Sequence, residues 1–256
     1  MKIATWNINS VRSRLPILSQ WLVTFQPDIV LLQELKCLNE AFPQQEIEDL
    51  GYNCAVYGQK TYNGVAILAK SPLEDVVCGL PTYQEDSQAR YIEAVVKNIR
   101  VASVYVPNGQ EVDSDAYRYK LFFLEKLRQH LEHLLTYEEI CLIGGDYNIA
   151  PENKDVYDPK LWQGKVLFSQ PEKQAFRSLC YLGYTDAIRV YHQGAGPFTW
   201  WDYRHQSFTA DHGLRIDHLL LSPQAADKLS DCQVDRDVRG FEKTSDHAPV
   251  WCQFNF

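Results

Sequence analysis

Apolar residues along this chain come in short runs, and several of those runs stop on a polar residue. KIATWN (2–7) reads as a strand. VRSRLPILSQWLVTF (11–25) spaces its apolar residues along one helical face, with Ser10 placed to cap it. PDIVLLQE (27–34) is a continuous aliphatic run, a buried strand that ends on a carboxylate. NGVAILAK, ARYIEAVV and NIRVASVYV read as strands, the last two as a pair. Residues from about 114 to 135 form the clearest long helix, and EEICLIGGDYN is again an apolar strand ending on a carboxylate. QAFRSLCYL reads as helical, and FTWW, LRIDHLLLS and PVWCQFNF as late strands.

Two pairs of segments repeat a pattern. NGVAILAKSPLEDVVC and LRIDHLLLSPQAADKLSDC both run strand, Ser-Pro, acidic stretch, Cys. PDIVLLQE and EEICLIGGD share theirs. This hints at a duplicated half, as in two sheets packed face to face. Short strands with interspersed helices point to an α/β sandwich. No linker or low-complexity tract breaks the chain, so residues 1–256 are expected to form a single domain.

The 45% hydrophobic fraction allows a sizeable core. No apolar run reaches membrane-spanning length, and MKIATWNINS lacks the apolar stretch of a secretory signal, so no membrane contact and a cytoplasmic location are expected. Seven scattered cysteines, without a C-x-x-C pair, read as reduced, buried thiols. The net charge of −8 argues against generic polyanion binding. It is compatible with an enzyme that gathers carboxylates around a cation and keeps a local basic rim.

Five polar clusters interrupt the apolar pattern. Asn7 and Asn9 are two apart at a strand end, hence on one face. Glu34 ends an aliphatic run, where a bare carboxylate is costly and either a cation or Lys36 would neutralise it. Gly144-Gly145 precede Asp146 and Asn148, and two glycines would let the backbone approach a ligand closely. Asp217 interrupts LRIDHLLL, and Asp246-His247 precede Ala-Pro-Val. Each cluster alone reads equally as a turn or a structural hydrogen bond. Together they supply hard oxygen donors, an amide-flanked carboxylate and a His-carboxylate pair. Without a cysteine cluster, such donors favour magnesium, or manganese, over zinc. The set suits phosphodiester hydrolysis, in which a cation offsets phosphate charge and a base activates water.

WNINSVR, LQELK, YNGVAIL, SVYVPNG, GGDYNIAP, RIDHLLLS and SDHAPV occur in this order from Trp6 to Val250. In them the chain resembles the exonuclease III family of abasic-site endonucleases, within the endonuclease/exonuclease/phosphatase superfamily. The resemblance implies a four-layered, DNase I-like α/β sandwich, two mixed sheets packed face to face and flanked by helices. It implies a magnesium-dependent DNA repair nuclease cutting 5′ to abasic sites and trimming 3′ ends of double-stranded DNA, acting as a monomer. Glu34, Asn7 and Asp246 would serve the metal. Asp146 would orient or deprotonate the attacking water, Asn148 would contact the scissile phosphate, and Tyr105 would stand near the phosphate or leaving oxygen. His247, paired with Asp217, would bind phosphate. DNA contacts would come from Asn9, Arg12, Lys36, Lys60, Arg90, Asn108, Arg118, Lys120 and Arg204. Trp200 and Leu214 would wall a pocket for a base-free sugar, while Trp201 reads as core. Some relatives carry tryptophan where Leu214 stands. The narrower alternative is mainly a 3′ exonuclease or phosphatase. The wider rivals are a phosphoesterase for a non-DNA substrate and a non-catalytic DNA-binding scaffold, the latter disfavoured by the retained carboxylates.

Overall fold

A computed structural model describes residues 1–255. Its strands are β1 (Lys2–Asn7), β2 (Ile29–Gln33), β3 (Asn53–Tyr57), β4 (Val65–Ala69), β5 (Glu74–Cys78), β6 (Tyr91–Val96), β7 (Ile99–Tyr105), β8 (Ile140–Asp146), β9 (Thr185–Asp186), β10 (Asp217–Leu221), β11 (Leu229–Val234) and β12 (Val250–Phe254). The α-helices are α1 (Val11–Phe25), α2 (Gln44–Glu48), α3 (Asp115–Leu135), α4 (Pro159–Trp162), α5 (Gln170–Tyr181), α6 (Ala187–Tyr191) and α7 (Pro223–Ala226).

One sheet has the order β11-β12-β1-β2-β4-β3 and the other β5-β6-β7-β8-β10-β9. The two orders correspond strand for strand. β1 and β2 are the parallel pair of the first sheet, β7 and β8 of the second. Both repeated patterns fall on equivalent strands: β2 matches β8, and the β4-to-β5 crossing between sheets matches the β10-to-β11 return. The duplicated half expected from the sequence is therefore present in the topology.

Side-chain alternation builds the layers. Ile3, Leu31, Ile67, Val101, Leu142 and Leu219 meet between the sheets. On the outer face of the first sheet, Ala4, Trp6, Val30 and Leu32 pack under Leu18, Trp21 and Leu22 of α1. Ala102, Val104 and Ile143 of the second pack under Phe123, Leu127 and Leu131 of α3 and Phe176 of α5. This is the expected four-layered sandwich. Ser10 caps α1 by accepting from Ser13 N. Among the described residues, no helix is long and apolar enough to cross a membrane.

Four details depart from the sequence reading. FTWW is not a strand, because Trp200 makes only isolated bridges, to Leu214 and His247. LRIDHLLLS becomes a strand only at Asp217. The thiols are free as expected, but Cys78 is exposed on the edge strand β5. Gly144 and Gly145 do not serve ligand approach. A Cβ on Gly145 would lie 1.8 Å from Val104 O, and one on Gly144 2.7 Å from Leu31 of the opposite sheet. These glycines let β7 and the facing sheet close in.

Candidate active site

The space between the sheets changes from aliphatic to polar toward one end. Next to the aliphatic layer, Gln33 of β2 donates to Ser103 Oγ of β7 (2.9 Å) and to Thr5 Oγ1 of β1 (3.0 Å). Past them, the C-terminal ends of both central parallel pairs meet. Asn7 ends β1, Tyr105 ends β7, Asp146 ends β8 and Glu34 directly follows β2. Carboxyl ends of parallel strands are where open α/β sheets hold their ligands. Four side chains from the two equivalent halves thus converge.

The buried amide of Asn7 ties them together. Its Nδ2 donates to Glu34 Oε1 (2.9 Å) and to Asp146 Oδ2 (2.9 Å). Its Oδ1 accepts from Asn9 N, so Asn7 bridges two carboxylates as a donor and keeps one oxygen lone pair. Glu34, Lys36, Asn9 and Asn148 all adopt left-handed backbone with φ near +50°. Non-glycine residues there cost on the order of 1–3 kcal/mol each, and such strain gathers where function needs it.

Asp146 is buried and accepts hydrogen bonds at both oxygens. Asn148 N gives to Oδ1 (2.8 Å), and Asn148 Nδ2 approaches Oδ2 (3.3 Å). Burial pushes its carboxyl up to about 7, with Asp217 adding and His247 opposing. Asp217 stands directly opposite Asp146 on β10. His247 Nδ1 is 2.8 Å from Asp217 Oδ2, and its Nε2 is 3.8 Å from Asp146 Oδ2. Burial alone would lower the imidazole pKa, yet Asp217 and Asp146 raise it to about 10. The Asp217 contact at Nδ1 thus favours the charged form of His247. Tyr105 is held well above the ordinary phenol range by burial, then by Glu34 and Asp146, so it is a neutral donor.

One atom each of Asp146, Asp217 and His247 lies within 4.8 Å of the others. This trio is one candidate metal site. Glu34 is the better candidate, with its pKa lowered although burial opposes it, chiefly by Lys36. Lys36 Nζ lies 2.8 Å from Glu34 Oε2 and donates to Asn9 Oδ1. Both neutralisers foreseen for Glu34 thus compete for one carboxylate. Asp217 Oδ1 is buried without a hydrogen-bond partner. An orphaned acceptor beside two carboxylates, with no thiolate near, is an environment that fits a hard divalent cation.

The remaining expectations divide. Asn108 Nδ2 donates to Asn148 Oδ1 at 3.2 Å, and Asn148 Nδ2 donates to Val106 O at 3.0 Å. Arg90 lies over the Tyr105 ring and lines an open cavity of about 750 Å³ together with Tyr105, Asn108 and Tyr119. Asp246 is not bare toward a metal, since its oxygens accept from Asn9 Nδ2 and Trp200 Nε1, both at 2.9 Å. Lys120 cannot touch DNA. It is wholly buried against Glu172, because α5 covers its side of α3. Leu214 is likewise buried, packed with Phe168 and Ile216 and capped by half-buried Trp200, so it walls no open pocket. Arg118 is exposed and paired with Asp115 of its own helix turn, and Arg204 with Asp202. Arg12 and Lys60 are exposed and outside the hydrogen-bonded cluster. Trp201 is core, as read.

Supporting groups escaped the sequence reading. Thr199 hydroxyl donates to Asp217 Oδ2 (2.6 Å), Ser245 hydroxyl to Asn7 O (2.6 Å) and Trp6 Nε1 to His247 O (3.0 Å). Arg14 donates to Asn9 O and to Tyr203 OH. Only Ser245 and Trp6, inside quoted motifs, carried any signal; Thr199 sat unnoticed in an aromatic run.

Residues 4–247 match the profile of the Endonuclease/Exonuclease/phosphatase family. The chain is similar to exodeoxyribonuclease III of Haemophilus influenzae, 36% identical over 99% of this chain and 100% of the relative. It is similar to the solved structure of the 3′ phosphatase NExo from Neisseria bound to a product DNA hairpin: 42% identity, 100% of both chains, TM-score 0.98. It is also similar to that of an AP endonuclease from Archaeoglobus fulgidus, at 36% identity, 100% of both chains and a TM-score of 0.96.

Proposed function

The chain belongs to the endonuclease/exonuclease/phosphatase family, and from that premise we propose that it is a magnesium-dependent DNA repair nuclease that hydrolyses phosphodiesters 5′ to abasic sites and at 3′ ends of duplex DNA. One observation carries the reading. Two carboxylates, the buried Asp146 and the part-buried Glu34, are held by one amide beside His247 at the meeting ends of both sheets.

Glu34, with Asp146 nearby, would hold the cation. Bound there, magnesium would offset charge on the phosphate and on the departing oxygen. The chain's own groups do the rest. Asp146 is raised toward the working pH, where a base is most effective, and takes a proton from the attacking water. The water oxygen bonds to phosphorus as the bond to the 3′ oxygen breaks. His247, fixed by Asp217, binds a phosphate oxygen with its outward N–H, and Asn148 and Asn108 bind others. Tyr105, neutral, donates to the phosphate or to the leaving oxygen. Arg90 and the cavity it lines receive the adjoining backbone.

A 3′ exonuclease or phosphatase with weak abasic-site incision is the second reading. Leu214, expected as one wall of a sugar pocket, is buried, which leaves Trp200 alone at that position. Trp6 and His247, 241 positions apart, join at the site, which supports treating the chain as a single domain. A cytoplasmic monomer completes the proposal. The test is a gel assay comparing an abasic duplex, a recessed 3′ end and a 3′-phosphate end, each with magnesium and with chelator. Cleavage only of the last two selects the second reading; cleavage of none in magnesium rejects both.

A further inference from the structure

Lys120 was expected at the DNA surface, and its burial raises the question of what a wholly enclosed ammonium does. Its Nζ donates to Asn108 O (3.0 Å), to Asn148 O (2.6 Å) and to Glu172 Oε1. All three protons are used. Glu172 is equally committed: Oε1 also accepts from Leu167 N, and Oε2 from Ser169 N and the Ser169 hydroxyl. That hydroxyl meets Tyr117 OH, one turn before Lys120 on α3. One charged pair thus joins α3, α5 and the loops after β7 and β8.

A buried ion pair is a poor source of stability compared with an apolar pair of like shape. What this pair does supply is direction. The carbonyls it grips belong to the two asparagines whose side chains hydrogen-bond each other over the site. Asn148 is in left-handed backbone, a conformation that needs outside support. Gly109, at φ +93°, crosses the Lys120 stem so closely that a Cβ would sit 3.1 Å from Lys120 Cδ. The chain after Asn108 is thus laid directly on the lysine.

We propose that the buried Lys120–Glu172 pair is a positioning device: it clamps the backbone of Asn108 and Asn148 so that their amides form one phosphate-binding face. This rests on the nuclease reading. Lys120 acts through the two asparagines and never touches DNA.

The test uses the full chain. K120M keeps the stem and removes the ammonium, and E172Q beside it removes the carboxylate charge that would be left bare. In the double variant kcat on an abasic duplex falls about tenfold or more, because small displacements of a binding group are costly. KM stays within about threefold. The salt dependence of DNA binding is unchanged, since no cation has left the DNA surface. Lys120→Arg, which keeps charge and donors, restores most of kcat. In an Asn148→Ala background, followed in single turnover, the double variant costs less than it does in the wild type, because one of the two groups being positioned is gone. A folded double variant with wild-type kcat overturns the proposal. So does a shallower salt dependence, which would put Lys120 on phosphate, or a full further loss on top of Asn148→Ala. If the double variant does not fold, Glu172→Gln alone decides by the same kcat criterion. A wild type that cuts nothing would defeat the nuclease reading itself, whereas an active wild type beside an indifferent variant defeats only the clamp.

Discussion

Asp146 and Asp217 face each other as cross-strand partners on β8 and β10. Like charges directly opposite repel. His247 stands against both, 2.8 Å from Asp217 and 3.8 Å from Asp146, and the two carboxylates favour its charged form, which offsets their repulsion.

This predicts a pH dependence of stability in chelator. The His247 pKa is raised from 6.5 in the unfolded chain to about 10 in the fold. A raised pKa contributes stability that is complete below about 6.5 and is lost as pH rises through about 10. The urea midpoint should therefore fall on going from neutral pH toward pH 10, and Asp217→Asn should flatten that fall. A midpoint unaffected by pH across this window would contradict the charged form of His247.

Asp146→Asn removes the proposed proton acceptor and leaves the side chain's size unchanged. Single-turnover cleavage should drop by about 10³-fold or more, while duplex binding measured by anisotropy stays within a few fold. Undiminished turnover would take Asp146 out of the reaction.

Glu34→Ala should shift the magnesium concentration for half-maximal cleavage upward by about tenfold or more. It should also abolish the rise in Tm that magnesium gives the wild type, because binding only to the folded state stabilises it by mass action. An unchanged metal titration would reassign the cation. Since Lys36 competes for the same carboxylate, Lys36→Met should move the titration the other way.

Gly145→Ala should destabilise the fold by about 3 kcal/mol or more, because its Cβ would strike the Val104 backbone of β7. Gly144→Ala meets only the tips of Leu219 and Leu31, which can shift, and should cost less. Denaturant unfolding of the two variants side by side settles the order; a milder Gly145→Ala would mean that β7 moves freely.

Much of this was legible in advance. The strand-ending positions of Glu34 and Asp146 followed from where aliphatic runs stop, and the repeat between β2 and β8 was visible as pattern. Asp217 drew notice because a charge inside an apolar run needs a partner. Lys120 and Leu214, both assigned through the resemblance, were misread for one reason: each is covered by an element distant in sequence, α5 in one case and the Phe168 cluster in the other.

Alternation and run length are local properties, so the amino-acid order alone determined the layers, the strand ends and which polar residues would stand there. Partnership is not local. That Asn7 donates to two carboxylates, that His247 reaches Asp217, and that Lys120 grips two loops depend on backbones up to 241 positions apart arriving within hydrogen-bond range. Only the closed sandwich decides that, because burial and charge pairing are set by whatever comes to lie alongside.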